Sequence, residues 1–168
     1  STVEFIVRHL LIAKVRGRFT TFTGQVKVPS GSDLPSSISA TIEAASIDTR
    51  EEQRDGHLRS ADFFDAEKFP KLTFQSTRIH GEPDDFTIDG DLSIHGITRS
   101  VTLKGTFEGR ATDPSGNQRI GYAAHGKISR KDFGLTWNAA LETGGVAVSD
   151  EVRLELNVEV LLPQKTAS

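Results

Sequence analysis

Five histidines, His9, His57, His80, His95 and His125, are the side chains of this 168-residue sequence best suited to metal or acid–base chemistry. None of them is spaced as HxxxH, and the chain has no cysteine, so no metal site or other cofactor is expected. Serine, histidine and aspartate are all available, but there is no GxSxG elbow. Asp55 and His57, two positions apart, would not face each other on a helix, so no catalytic residue is expected. Asp132-Phe133-Gly134 is not a magnesium motif, because no glycine-rich loop or HRD segment accompanies it. The remaining chemistry is that of charge. Arg8, Lys14, Arg16, Arg18 and Lys27 lie between residues 5 and 32 without a single carboxylate, whereas residues 48 to 68 carry seven acids against four lysines and arginines. Two readings are open: the two segments pair with each other, or Arg8, Arg16 and Arg18 form a positive mouth for an anionic head group. His95, before Gly96 at a strand end, either bonds to its own turn or touches such a head group.

Strands must position these groups. Apolar and polar residues alternate in Phe86-Ile88-Gly90-Leu92-Ile94, Val101-Leu103-Gly105-Phe107, Ile120-Tyr122-Ala124-Gly126-Ile128 and Val152-Leu154-Leu156-Val158-Val160. A period of two means one dry and one wet face. The same pattern places strands near residues 2–8, 17–28, 36–47, 70–80, 85–94, 99–111, 118–129 and 151–161. Turn chemistry at Pro29–Asp33, Gly81–Asp85 and Asp113–Asn117 separates several of them and favours pairing of sequential neighbours. The expected fold is all-β: one extended, eight-stranded antiparallel, lipocalin-like barrel over residues 1–168, with short helical caps.

Two segments interrupt the period. His9-Leu10-Leu11-Ile12 is continuously apolar and reads as a short helical cap. Residues 48–58 are rich in helix formers after Asp48 or Thr49 as N-cap, and the segment then runs through Leu58, Phe63, Phe64 and Phe69 to Pro70. Four large apolar groups in so charged a segment suggest a lid over the barrel, spanning Arg50 to Phe69. Gly56 inside its helix costs about 1 kcal/mol relative to alanine. Either something presses on the backbone there, bending the helix, or the helix is weak by design and gates the opening.

Ten of the twelve aromatic residues are phenylalanine, which has no polar handle and suits an apolar lumen. Apolarity alone picks the inward face: Phe5, Val7, Phe19, Phe22, Phe74, Phe86, Ile88, Tyr122 and Trp137, with Leu58, Phe63 and Phe64 from the lid. Trp137, the sole indole, reads either as a barrel-closing core residue or as part of a ligand wall. A net charge of −3 argues against nucleic acid as a partner. No run of eighteen apolar residues is present, so no membrane span is expected. No signal peptide is visible, and a cytoplasmic location is expected ahead of a periplasmic or secreted one.

Read in order, several blocks resemble the YceI-like, polyisoprenoid-binding family. They are Phe5-x-Val7-Arg8-His9, Val15-x-Gly17-x-Phe19-x-x-Phe22-x-Gly24, Ser46-Ile47-Asp48-Thr49, Arg54-Asp55-x-His57-Leu58-x-Ser60-x-Asp62-Phe63-Phe64-Asp65, Phe69-Pro70, Gly90-x-Leu92-x-Ile94-His95-Gly96-Ile97-Thr98 and Arg130-x-Asp132-Phe133-Gly134. The resemblance implies a lipocalin-like barrel around a long tunnel that holds a polyisoprenoid, an isoprenoid quinone or a fatty-acid derivative, without catalysis. A homodimer is compatible with it. A forty-carbon isoprenoid at about 0.3 kcal/mol per heavy atom would gain about 12 kcal/mol, roughly nanomolar affinity. The expected function is therefore to carry or sequester an amphiphilic lipid. The alternative is an enzyme of isoprenoid or lipid metabolism.

Overall fold

Alternation becomes a single antiparallel sheet. The computed structural model describes residues 1–10, 13–138 and 148–162, without the side chain of His9. Its strands are β1 (Thr2–His9), β2 (Ala13–Phe19), β3 (Phe22–Lys27), β4 (Ser37–Glu43), β5 (Ile47–Asp48), β6 (Lys71–Glu82), β7 (Asp85–Ile94), β8 (Ile97–Thr112), β9 (Gln118–Ser129) and β10 (Glu151–Leu161). One helix, α1 (Glu52–Arg59), and 3-10 turns at Ala44–Ser46 and Arg130–Phe133 accompany them. No helix among the described residues is long and apolar enough to cross a membrane.

The strands lie in the order β3-β4-β6-β7-β8-β9-β10-β1-β2-β5. Sequential neighbours pair wherever a hairpin joins them, and the last strand returns to the first, with Phe5 opposite Leu154. The two ends of the sheet meet as well. β2 runs through Thr20-Thr21 into β3, β4 runs through Ala44–Ser46 into β5, and the two corners are joined by Thr20 N to Ser46 O (3.1 Å) and Glu43 N to Thr21 O (3.0 Å). The result is a curled all-β sheet consistent with a lipocalin-like fold.

Ten segments stand where eight strands were expected. The stretch 17–28 breaks at Thr20-Thr21, and 36–47 breaks at Ala44–Ser46, because a tightly curled sheet needs corners. At the second corner the Ser46 hydroxyl donates to Glu43 O (2.7 Å), supplying locally a bond that the ladder no longer makes. The expected helical cap at His9–Ile12 is replaced at its start by strand: His9 pairs with Ala13, and Leu10 turns the chain at φ 56°. Leu11 and Ile12 lie outside the described residues.

Inward side chains form two clusters. One contains Phe5, Phe19, Ile47, Leu72, Ile94, Phe133 and Val152, and the other contains Phe86, Ile88, Leu103, Ile120 and Tyr122. Phe74 and Leu154 touch both. The second cluster is roofed by residues 28–36: Val28 and Leu34 pack on it, and Pro35 is fully buried. Two anchors hold this roof, the Tyr122 hydroxyl donating to Asp33 O (2.7 Å) and Arg110 Nε donating to Asp33 Oδ1 (2.7 Å). Burial pushes the Tyr122 phenol up to about 12, so it remains a donor across the ordinary pH range.

Large rings fit because glycine faces them across the sheet. Gly17 is opposite Phe5, and Gly105 is opposite Phe86. A Cβ added at either position would come within 2.2 Å of the ring. The absent side chains let each phenyl lie against the sheet rather than stand out into the lumen.

Candidate functional site

The first cluster encloses a cavity of about 570 Å³, within the ordinary range for small-molecule sites. Strand parity decides its lining. Phe5 and Val7 from β1, Val15 and Phe19 from β2, and Val152 and Leu154 from β10 point into it. Leu58, Phe63, Phe64 and Trp137 line its mouth, from the segment containing α1 and from the stretch after β9. Phe63 and Trp137 lie 5.3 Å apart, and the His57 ring meets Trp137 edge-on at 4.7 Å.

Polar lining is concentrated on the α1 side, in Thr49, Glu51, Gln53, Arg54 and His57, with Arg130 beneath. These groups largely satisfy one another. Arg54 donates from Nε to Thr49 Oγ1 and from NH2 to Thr49 O (both 2.8 Å), and pairs with Glu51 at 3.0 Å. The buried Asp55 carboxylate accepts from the Thr49 backbone N–H (2.9 Å) and hydroxyl. Thr49 is thereby clamped to both Arg54 and Asp55, which fixes α1 to the sheet. His57 Nε2 bonds Asp62 at 3.0 Å, while the Ser60 hydroxyl donates to the His57 carbonyl. Serine, histidine and aspartate of this block therefore form no nucleophile–base pair.

The N-cap of α1 is Glu51, without a side-chain cap bond, rather than Asp48 or Thr49. Asp48 instead accepts from Arg50 N (2.9 Å) and pairs with Arg18; these two contacts hold its carboxyl below the usual carboxylate range. Nothing lies within 4 Å of a Cβ placed on Gly56, so no neighbour requires a glycine there. Gly56→Ala is expected to raise stability by about 0.5–1 kcal/mol in urea unfolding, from helix propensity and lost chain entropy. A decrease would show that the helix depends on that glycine.

Arg130 was not foreseen as a site residue. It is buried, and its guanidinium donates to four carbonyls: Ser149 O (2.8 Å), Leu135 O (3.0 Å), Trp137 O (3.2 Å) and Val148 O (3.3 Å). It also lies 5.8 Å from the centre of the Phe63 ring. Burial pulls its pKa below the ordinary value, against the opposing charge of Asp150. One fork thus ties the strand-to-strand connection after β9 to the cavity wall and positions Trp137.

Of the residues singled out by apolarity, Phe5, Val7, Phe19, Leu58, Phe63, Phe64 and Trp137 converge on the cavity. Phe22 packs on the first cluster from outside that lining, Phe74 lies between the clusters, and Phe86, Ile88 and Tyr122 fill the second. The head-group candidates lie elsewhere. Arg8, Arg16 and Arg18 have the opposite parity to Val7, Val15 and Phe19 and face solvent; Arg16 pairs with Glu4 and Glu155, and Arg18 with Asp48. His95 turns the β7–β8 hairpin at φ 57°, its ring packed 4.8 Å from Phe69. Its enclosed Nδ1 has no hydrogen-bond partner among the described residues.

Residues 1–160 match the YceI-like domain. The chain belongs to the YceI-like family. A UPF0312 protein of Staphylococcus aureus is 37% identical over 160 residues, 95% of this chain and 91% of its own. Protein YceI of Escherichia coli is 38% identical over 94% of this YceI-like chain and 79% of its own length. Among solved structures, a YceI protein of Campylobacter jejuni superposes with a TM-score of 0.82 at 29% identity, covering 94% and 90% of the two chains. A polyisoprenoid-binding domain from Saccharophagus degradans gives 0.67 at 18% identity over 96% and 94%, a likeness of fold alone. Within this YceI-like chain, the block Arg54-Asp55-x-His57-Leu58 holds the clamp on Thr49 and part of the cavity wall, and Arg130-x-Asp132-Phe133-Gly134 is the turn that carries the buried fork.

Proposed function

We propose that the chain binds an amphiphilic lipid and carries or sequesters it without changing it chemically. The ligand is a polyisoprenoid, an isoprenoid quinone or a fatty-acid derivative. Its tail lies among Phe5, Val7, Phe19, Phe63, Phe64 and Leu154, and its head lies beside Gln53 and His57. The observation that carries this reading is the hollow apolar end of the curled sheet, beside an end of the same sheet that is filled. The relationship to a family with a polyisoprenoid-binding structural neighbour supports the ligand class.

Trp137 supplies the test, because the only indole of the chain lines the cavity. Titration with geranylgeraniol should shift its emission to the blue with saturation at one ligand per chain. Unchanged emission, with no bound lipid in native mass spectrometry, would reject the reading. Release of a product would favour the enzymatic alternative.

The exterior position of the three arginines carries a second prediction. Arg16→Gln and Arg18→Gln each remove exposed ion pairs worth under about 1 kcal/mol. An isoprenoid phosphate and its alcohol should each bind the variants within about twofold of the parent protein, well inside the tenfold that about 1.4 kcal/mol represents. A selective loss for the phosphate would return these arginines to the head-group site.

A further inference from the structure

Resting on that reading, we infer that this cavity takes short tails, of about fifteen to twenty carbons, and that Phe74 and Leu154 set the limit. At about 30 Å³ for each heavy-atom-sized unit in a liquid, about 570 Å³ holds roughly twenty heavy atoms. A forty-carbon tail needs about twice that space. Among the described residues, the interior in line with the cavity is filled by the second cluster. Beyond Leu154 the lumen is occupied by Phe86, Ile88 and Ile120, each at most 2% exposed. Phe74 and Leu154, in contact with both clusters, form the partition.

The partition is built in rather than loosely filled. The Phe74 ring lies over Gly90, where an added Cβ would come within 2.4 Å of it. The far end is shut by residues 28–36, held by Tyr122 and Arg110. A longer tail therefore leaves its surplus at the α1 mouth, where each methylene still faces water and adds nothing.

Isoprenoid alcohols of ten, fifteen, twenty and forty carbons, delivered from cyclodextrin and followed by Trp137 emission, test the limit. Affinity should rise by up to about fourfold per buried methylene and then level off at fifteen to twenty carbons. Leu154→Ala and the milder Phe74→Leu should move the break to longer tails, and it is the position of the break, not the affinity for any one alcohol, that is read in each variant. A continued climb to forty carbons, or a break that stays in place in either folded variant, overturns the length limit while leaving lipid binding standing. No response to any alcohol overturns both.

Discussion

Replacing Arg130 with methionine is expected to destabilise the protein by about 3–5 kcal/mol, because several carbonyls inside the fold are left without this donor at about 1–3 kcal/mol for each that stays unsatisfied. The guanidinium donates to four carbonyls drawn from residues 135–149; Ser149 O, Leu135 O and Trp137 O lose this donor with the fork, whereas Val148 O keeps Asn138 Nδ2 at 2.7 Å. Methionine fills much of the volume, so the loss reports the hydrogen bonds more than a cavity. Arg130→Lys keeps the charge but has a point donor on a flexible stem, and it should recover less than half of the deficit. Urea unfolding measures both. Trp137, whose carbonyl is one of the four acceptors, should show altered emission in the native baseline of either variant. A lysine variant as stable as the parent would mean that charge alone, and not the fork, holds the connection.

The second large effect comes from one substitution made at the two ends of the sheet. Gly105→Ala puts a methyl group where the Phe86 ring lies, and the packed second cluster has no space to receive the displaced ring. Overpacking of this kind costs about 1–3 kcal/mol, and lipid affinity should stay within a few-fold because the hollow end is untouched. Gly17→Ala creates the same clash with Phe5, but there the ring can swing into the cavity. Its stability cost should be under about 1 kcal/mol, while the ring takes space from the ligand and affinity should fall at least tenfold, about 1.4 kcal/mol. Thermal unfolding and Trp137 titration on both variants give the comparison. Equal stability losses with equal binding losses would mean that the two ends are not packed differently.

Much of the sheet is legible in the alternation. β7, β9 and β10 fall where the period of two places them, and parity separates Phe5 and Val7 from Arg8, and Phe19 from Arg18. The corners at Thr20-Thr21 and Ala44–Ser46 are invisible because a bend within a strand leaves the hydropathy pattern unchanged. Hollow and filled ends are also indistinguishable along the chain. Phe86-x-Ile88 reads like Phe5-x-Val7, and only the partners across the lumen decide which rings meet each other and which leave a gap. Arg130 carries no periodic signal, since a buried arginine is betrayed by the carbonyls around it and not by its sequence neighbours. The charge imbalance between residues 5–32 and 48–68 is real in composition, yet among the described residues only the Arg18–Asp48 ion pair joins the two segments; Arg16 turns to Glu4 and Glu155 instead.

The most direct test of the central claim is to extract the protein, purified from its own cells without detergent, with organic solvent and weigh what is released by mass spectrometry. The account predicts close to one equivalent of an amphiphile, chemically intact, with a tail near fifteen to twenty carbons. Protein that is fully folded, carries no lipid, and does not take up geranylgeraniol when it is supplied would contradict it.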